Sequence, residues 1–176
     1  MSGQDLPTRL KQKFGAKITG SNLQALDPWI EVSPEGLVDV CRFLRDDAAL
    51  QMNFLNCITV VDYFEKDPKK AAKAEFAPHL EVLYHLSSIT KKHTLVLKVM
   101  LPRWKGDVPG QLPELPTVNE IWRTADWHER EVYDLSGVLF THHPDMRRIL
   151  CPEDWEGHPL RKDYEMPLDY HGIRGR

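Results

Sequence analysis

Cysteine is scarce in this sequence: only Cys41, Cys57 and Cys151 occur among its 176 residues. They are far apart and odd in number, which disfavours a disulfide framework and favours reduced thiols in a cytosolic compartment. Iron–sulfur and structural zinc sites need closely spaced thiolates, and the sequence contains no CxxC motif. We therefore expect no metal or cluster in this chain itself.

Long apolar runs and a charge excess of one sign are also missing. No stretch approaches the roughly 20 apolar residues that span a bilayer, and residues 1–15 lack the apolar core of a signal peptide. The formal net charge is only −3, and acidic and basic residues alternate along most of the chain. Nucleic acid is therefore not an expected partner, and we expect any membrane attachment to be made by another protein.

Motifs for nucleotide binding and for nucleophilic catalysis are absent as well. Neither GxGxxG nor GxxxxGK[ST] occurs, and the predicted strands do not alternate with helices as a dinucleotide fold requires. Ser136 and Gly137 belong to no nucleophile-elbow motif, and no cysteine has a recognisable histidine context. These absences exclude the commonest enzyme classes for this chain.

The residues that are present predict a mixture of helices and strands up to about residue 140. The apolar periodicity, caps and β-branched runs place helices at 7–14, 33–46, 117–122 and 127–135, and strands at 17–19, 29–32, 54–64, 80–88 and 94–101. Ser33, Thr117 and Asp126 are the expected N-caps, with Glu129 completing a capping box and Gly137 ending the last helix. The last two strands should form a hairpin. Residues 65–78 read as a loop or short helix and 105–116 as irregular linker.

The sequence loses its periodicity from Thr141 onward. Prolines and glycines interrupt it at Pro144, Pro152, Gly157, Pro159, Pro167, Gly172 and Gly175. Such sequence cannot bury itself as regular structure. Residues 141–176 are therefore predicted to form an extended irregular arm that is ordered only against another surface.

A zinc-hydrolase site is one hypothesis for the histidines. His128 and Glu129 begin like the helical HExxH motif, but the position of the second histidine holds Val132. The remaining candidates, at 142, 143, 158 and 171, lie in turn-rich sequence without helical spacing. Surface or partner-contacting histidines are the simpler interpretation, and an independent metal-dependent hydrolase is the weakest functional hypothesis.

Charged and aromatic side chains crowd the stretch DWHEREVYDLSG at 126–137. Arg130 and Glu131 both have helical spacing to Asp134, so part of the stretch fits a solvated face that pairs with itself. Trp127, beside arginine and tyrosine, is typical of interface anchors, although tryptophan is just as often found in a core. The residues alone leave both interpretations open.

Three blocks in order carry a more specific signal: DWHEREVYDLSG at 126–137, HPDMRRIL at 143–150 and PEDWEGHPLRKDY at 152–164. Together they resemble the C subunit of bacterial respiratory complex I, which is similar to the mitochondrial iron–sulfur protein 3. Three linked blocks are far more specific than any short motif. The resemblance covers most of the chain and is weak before about Phe54.

This resemblance implies an α+β fold: a two-layer domain over 1–140 with a mixed sheet and helices on one face, followed by the arm over 141–176. It implies a cofactor-free structural and assembly subunit of proton-translocating NADH:quinone oxidoreductase, with FMN and iron–sulfur clusters in partner subunits. The implied partners are the D subunit, which helps to form the quinone site, and the B and I iron–sulfur subunits. The implied location is peripheral, at the cytoplasmic face of the bacterial plasma membrane.

Twelve residues in the three blocks are expected to dock on partners: Trp127, Glu129, Arg130, Glu131, Asp134, His143, Pro144, Arg147, Arg148, Trp155, Arg161 and Tyr164. The charged ones should fix the helix and the arm, partly by internal ion pairs and partly against the D subunit. The equivalent subunit of a related membrane-bound hydrogenase or ferredoxin-linked complex is an alternative that shares the same signature.

Overall fold

The computed structural model describes residues 5–175. Its elements are α1 (Asp5–Phe14), β1 (Ile18–Asn22), β2 (Trp29–Val32), α2 (Leu37–Asp46), β3 (Phe54–Tyr63), α3 (Pro68–Ala71), β4 (His79–Ser88), β5 (His93–Leu101), β6 (Glu114–Pro116), α4 (Ala125–Ser136), β7 (Leu139–Thr141), β8 (Asp169–Tyr170) and β9 (Ile173–Arg174). The longest helix, α4, has 12 residues. Within 5–175, no helix has the length and apolar character needed to cross a membrane.

A five-stranded sheet in the order β1-β2-β5-β4-β3 organises the domain. β2 runs parallel to β5, and the other three pairings are antiparallel, so the sheet is mixed. β4 and β5 form the predicted hairpin, in which Ser88 lies opposite His93. The predicted α+β class and mixed sheet are confirmed.

The core lies against one face of this sheet because apolar residues alternate along β4. Its buried side chains are Leu80, Val82, Tyr84 and Leu86. Residues between them are half-buried, as the twofold side-chain alternation of a strand requires. Four buried residues of α2 and the buried Val132 of α4 join the same core. The placement of all helices on one face stays a prediction.

The secondary structure predicted from local sequence was wrong in two segments, because contacts with residues far away in the sequence determine their conformation. The predicted linker 105–116 ends in β6, which pairs in parallel with β7. The predicted helix over 117–122 is a turn instead. Trp122 is buried there, and its Nε1 donates a hydrogen bond to the backbone oxygen of Met52 at 2.9 Å. Ser33 precedes a short 3-10 turn, Pro34–Gly36, without a side-chain cap hydrogen bond.

The arm is irregular as predicted, but its first part is attached to its own domain. Leu160 N donates to the carbonyl of Leu135 at 2.8 Å, and Lys162 N donates to the carboxylate of Asp62 at 2.9 Å. The surface that orders this part of the arm is its own domain, and docking of the arm on a partner stays a prediction. Some of the arm's backbone donors therefore find their acceptors in the domain. The division of the chain at residue 140 stays a prediction.

Candidate docking surface

Helix α4 is the element on which the arm is assembled. It begins at Ala125, after Thr124, whose side chain makes no cap hydrogen bond, so the predicted capping box of Asp126 and Glu129 does not form. It ends as predicted at Gly137, which adopts the left-handed conformation with φ 69° and donates its N–H to Tyr133 O. Glycine is favoured at this position because it carries no Cβ.

Glu129 points into the core instead of capping its own helix. Its carboxylate is fully buried, accepts the hydroxyl of Thr117, and accepts the backbone N–H of Val118 at 2.7 Å. Burial raises the pKa of Glu129 to about 7, against the lowering effect of these two hydrogen bonds. The buried imidazole of His143 lies beside it, with Nε2 3.9 Å from the carboxylate. Glu129 therefore joins α4 to the turn after β6.

His143 connects the same helix to the start of the arm. Its Nδ1 accepts the backbone N–H of Asp145 at 3.0 Å, and its Nε2 lies 3.1 Å from the backbone oxygen of Asp126. This geometry fits the tautomer that carries its proton on Nε2, because each ring nitrogen then has a matching partner. His143 therefore has a positioning role in the chain.

The buried Glu129 carboxylate should make the stability of the free chain pH-dependent. Its pKa is raised from 4.5 to about 7 in the folded state, so the folded chain holds this proton more tightly than the unfolded chain does. The stabilisation is complete below about pH 4.5 and is lost as pH rises through 7, by up to about 3 kcal/mol at roughly 1.4 kcal/mol per pKa unit. In Glu129→Gln, this part of the pH dependence should disappear.

Urea unfolding at several values between about pH 5 and pH 8 measures this effect. Glu131→Gln is the matched control, because Glu131 is an exposed carboxylate on the same helix. It should reproduce the wild-type pH dependence. Parallel curves for wild type and Glu129→Gln would show that Glu129 does not titrate in this range.

Asp134 holds the arm to α4. One carboxylate oxygen accepts three consecutive backbone N–H groups, from Ile149, Leu150 and Cys151, at 3.0, 2.7 and 2.8 Å. The other oxygen accepts Nη1 of Arg148 at 2.6 Å. Although burial alone raises the pKa of Asp134, these donors outweigh it and lower the value to about 2. The helical ion pair that the spacing of Arg130 and Asp134 suggested is therefore replaced by pairing of Asp134 with the arm.

Arg130 and Gly137 complete this attachment. Arg130 donates to the backbone oxygens of Arg147 and Arg148 at 3.3 Å each. At Gly137, a Cβ would lie 2.5 Å from Cδ2 of His158, whose Nδ1 contacts the backbone oxygen of Asp134 at 3.0 Å. The imidazole therefore occupies the space that only glycine leaves open.

Arg103 forms a second attachment, for which the sequence contains no local signal. Its guanidinium binds both oxygens of Asp62, at 2.7 and 2.9 Å, and both oxygens of Asp163, at 2.7 and 3.1 Å. These carboxylates raise the pKa of Arg103 although burial acts in the opposite direction. Asp62 in β3, Arg103 after β5 and Asp163 in the arm are thus joined by charge-assisted hydrogen bonds.

The structure divides the twelve predicted docking residues by exposure. Four are exposed: Trp127, Glu131, Pro144 and Arg147. Four are half-buried: Arg130, Arg148, Trp155 and Tyr164. The side chains of Glu129, Asp134 and His143 have no exposed area. These three side chains make internal contacts in the structure, and contact of the twelve residues with a partner stays a prediction. Arg161 is 5% exposed and lines a small cavity.

Exposed apolar residues extend the surface beyond the predicted set. Trp127 is 66% exposed, and Leu150 and Leu160, which no sequence pattern singled out, are 63% and 64% exposed. Both leucines lie in arm segments whose backbone N–H groups bind α4. We call Trp127, Glu131, Pro144, Arg147, Leu150 and Leu160 the α4–arm surface. Exposed apolar side chains on a backbone segment that is fixed by hydrogen bonds are typical of interaction sites.

Histidines and carboxylates of the three blocks do not assemble a metal centre in the part of the chain that the structure describes. Within 5–175, no group of three or more histidine, cysteine, aspartate or glutamate side chains is arranged to hold an ion. Val132, at the position where HExxH requires its second histidine, is buried in the core.

The fold and this surface define an α+β protein with a helix-anchored arm. Residues 30–170 match the family described as "Respiratory-chain NADH dehydrogenase, 30 Kd subunit". The chain belongs to this family. The resemblance drawn from the three sequence blocks is thereby confirmed.

Relatives from several bacteria are named as the C chain of NADH-quinone oxidoreductase. The protein of Roseiflexus castenholzii is 42% identical over 162 residues, covering 90% of this chain and 83% of that protein. That of Geobacter sulfurreducens is 42% identical over 158 residues, covering 90% and 86%. That of Chloroherpeton thalassium is 39% identical over 167 residues, covering 94% of this chain and 62% of the relative. The chain thus spans less than two thirds of this last protein.

A solved structure shares the fold at lower sequence identity. It comes from the membrane-bound sulfane sulfur reductase, an archaeal respiratory membrane complex. The TM-score is 0.70 at 22% identity, and the match covers 94% of this chain and 87% of that chain. Identity at this level shows a common fold alone.

Proposed function

We propose that this chain is a cofactor-free structural and assembly subunit in the peripheral arm of proton-translocating NADH:quinone oxidoreductase. The observation that carries the proposal is the α4–arm surface: Trp127 is exposed on α4, and Leu150 and Leu160 are exposed on arm segments whose backbone is hydrogen-bonded to Asp134 and Leu135. A surface ordered in advance loses less conformational entropy when it binds. FMN and the iron–sulfur clusters of such a complex would then reside in partner subunits.

The proposed partners are the D subunit and the B and I iron–sulfur subunits. The names of the relatives support membership of an NADH-quinone oxidoreductase, and the mixture of tryptophan, arginine and leucine on the α4–arm surface suits a protein partner. Membrane attachment at the cytoplasmic face would follow from these contacts. The alternative is the equivalent subunit of a related membrane-bound hydrogenase or ferredoxin-linked complex; it is kept because the same fold also occurs in a chain of an archaeal respiratory membrane complex with a different name.

Co-purification tests the proposal and its alternative together. A tagged chain expressed in its own host and isolated from detergent-solubilised membranes should bring down the D, B and I subunits, identified by mass. Flavin-binding and NADH-oxidising subunits in the same preparation would support the first candidate. A hydrogenase or ferredoxin-linked module in their place would support the alternative, and recovery of the chain alone would contradict both.

Replacing Arg147 and Arg148 by alanine should lower the amount of assembled complex more than the turnover of the complex that still assembles. Arg147 is largely exposed and pairs with Asp145, whereas Arg148 binds Asp134 and the backbone oxygen of Gly157. The double variant thus removes a proposed docking charge and an internal attachment. Breaking a paired charge at a desolvated contact costs about 2 kcal/mol or more.

Single variants separate the two effects. Arg147→Ala should leave the unfolding of the free chain within about 0.5 kcal/mol of wild type and reduce assembly, whereas Arg148→Ala should reduce both. Native gels quantify assembly, and NADH:quinone activity per assembled complex gives turnover. Normal assembly with lost turnover in the double variant would contradict a structural role.

A further inference from the structure

A small cavity lies between the arm and the segment that follows β5. Its volume is about 240 Å³, and its lining is mostly apolar, with contributions from Trp104, Gly157, His158, Tyr164 and Glu165. Three of these residues carry aromatic or heteroaromatic rings. The size suits one or two side chains of a peptide and is below that of typical cofactor sites.

Arg161 forms one wall of this cavity and is only 5% exposed. Its guanidinium carbon lies 3.8 Å from the centre of the Trp104 ring, and Nη2 donates to the backbone oxygen of Arg103 at 2.7 Å. Its Nε and Nη1 are buried and have no hydrogen-bond partner among the described residues. A buried guanidinium donor without an acceptor destabilises the free chain. The two N–H groups of Arg161 beside the cavity could therefore still take acceptors.

The surrounding charges indicate what kind of acceptor fits. The charges of Asp62 and Asp163 balance those of Arg103 and Arg161. Their carboxylate oxygens, however, already accept hydrogen bonds from Arg103 and from the backbone N–H of Lys162. Asp163 and Glu165 also line the cavity. An added anion would therefore meet two carboxylates at a site whose charge is already balanced. A neutral oxygen supplies the missing acceptor without that repulsion.

We propose that the cavity receives an extended segment of a neighbouring subunit, with an apolar side chain among the Trp104, His158 and Tyr164 rings. A small shift of the Arg161 side chain on binding lets Nε and Nη1, which are buried in the free chain, donate to backbone carbonyl oxygens of that segment. Trp104 holds the guanidinium plane, so Arg161 is a positioning and recognition residue for that segment. The inference rests on the proposed function, because the segment belongs to another subunit of the complex.

Rebinding of the full chain to membranes from a strain that lacks it tests the role of Arg161. Arg161→Lys keeps the charge but loses the planar set of donors, and it should raise the chain concentration needed for half-maximal rebinding about tenfold. The shift should be the same at low and high salt, since the acceptor is neutral. Lys162→Arg is the matched control at an exposed neighbouring cation and should rebind like wild type.

Photo-crosslinking in the assembled complex provides a readout that does not depend on the stability of the Arg161 variant. A benzophenone amino acid at Glu165, an exposed residue lining the cavity, should crosslink to one segment of another subunit. The same group at Lys73, which is exposed and does not line the cavity, should give far less of that product.

Each outcome decides one of the two proposals. Crosslinking from Glu165 to a segment of another subunit, together with salt-independent weakening by Arg161→Lys, supports the inference. Wild-type-like rebinding of Arg161→Lys, a complex without the Glu165 crosslink, or weakening that vanishes at high salt as for an acidic segment, overturns it. A wild-type chain that co-purifies with no other subunit overturns the proposed function itself, so the two failures are distinguishable.

Discussion

Asp134→Asn is expected to detach residues 149–151 from α4 and to lower the free energy of unfolding of the chain by about 3 kcal/mol. Asparagine has the shape of aspartate but offers only one acceptor oxygen. If that oxygen faces the three backbone N–H groups of 149–151, the amide nitrogen faces the guanidinium of Arg148, which is also a donor. Two buried donors then oppose each other, and the charge pair is lost.

Urea unfolding of the purified chain measures the loss, and hydrogen exchange at the amides of Ile149, Leu150 and Cys151 should rise in parallel. Asp145→Asn is the control, because Asp145 pairs with Arg147 at the surface, where a salt bridge contributes at most about 1 kcal/mol. Unchanged exchange at these three amides in Asp134→Asn would show that something else holds the arm.

Acid should weaken the same attachment. The pKa of Asp134 is lowered from 3.8 to about 2 in the folded chain, so its carboxylate stabilises the fold above about pH 4. This contribution is lost as pH falls through about 2. The difference in stability between wild type and Asp134→Asn should therefore shrink over that interval.

Asp62→Ala is expected to destabilise the chain by about 3 to 5 kcal/mol, because it leaves the buried guanidinium of Arg103 with half of its carboxylate partners. It also removes the acceptor of the Lys162 N–H, which joins the arm to β3. Lys162 is exposed, so trypsin should cleave after it faster in this variant than in wild type. Thermal unfolding and timed proteolysis provide independent measurements.

A double-mutant cycle distinguishes the loss of the ion pair between Asp62 and Arg103 from the loss of side-chain volume. Arg103→Met alone leaves Asp62 buried without its cation, whereas Arg103→Met with Asp62→Leu replaces both partners by apolar side chains. Since apolar replacement of a whole buried pair is often close to neutral, the double variant should be less destabilised than the sum of the singles. Strict additivity would contradict a direct interaction between Asp62 and Arg103.

The helices and strands with strong local periodicity could be predicted from the sequence. The alternation in β4 and β5 indicated a hairpin, and Gly137 marked the end of α4 because a left-handed terminal residue favours glycine. Prediction failed at 117–122 and at β6. In both places a contact with a distant segment, Met52 or β7, outweighs the local propensity.

The candidate surface was predictable in outline but not in its chemistry. The blocks at 126–137 and 143–150 singled out Trp127 and Arg147, which are exposed, but they offered no means of separating these two from the buried Glu129 and Asp134. From the residue type one can predict only that a carboxylate, if it is buried, has a hydrogen-bond or charge partner. It does not identify the partner.

The family and the mixed α+β composition could therefore be predicted from the sequence alone, because both follow from the order of residues along the chain. The contacts between distant residues became visible in the fold: Asp62 binds the backbone amide of Lys162, one hundred positions away, and Arg103 binds Asp163, sixty positions away. Hydrogen bonds over such separations depend on where the fold brings the backbone, and no local pattern encodes them.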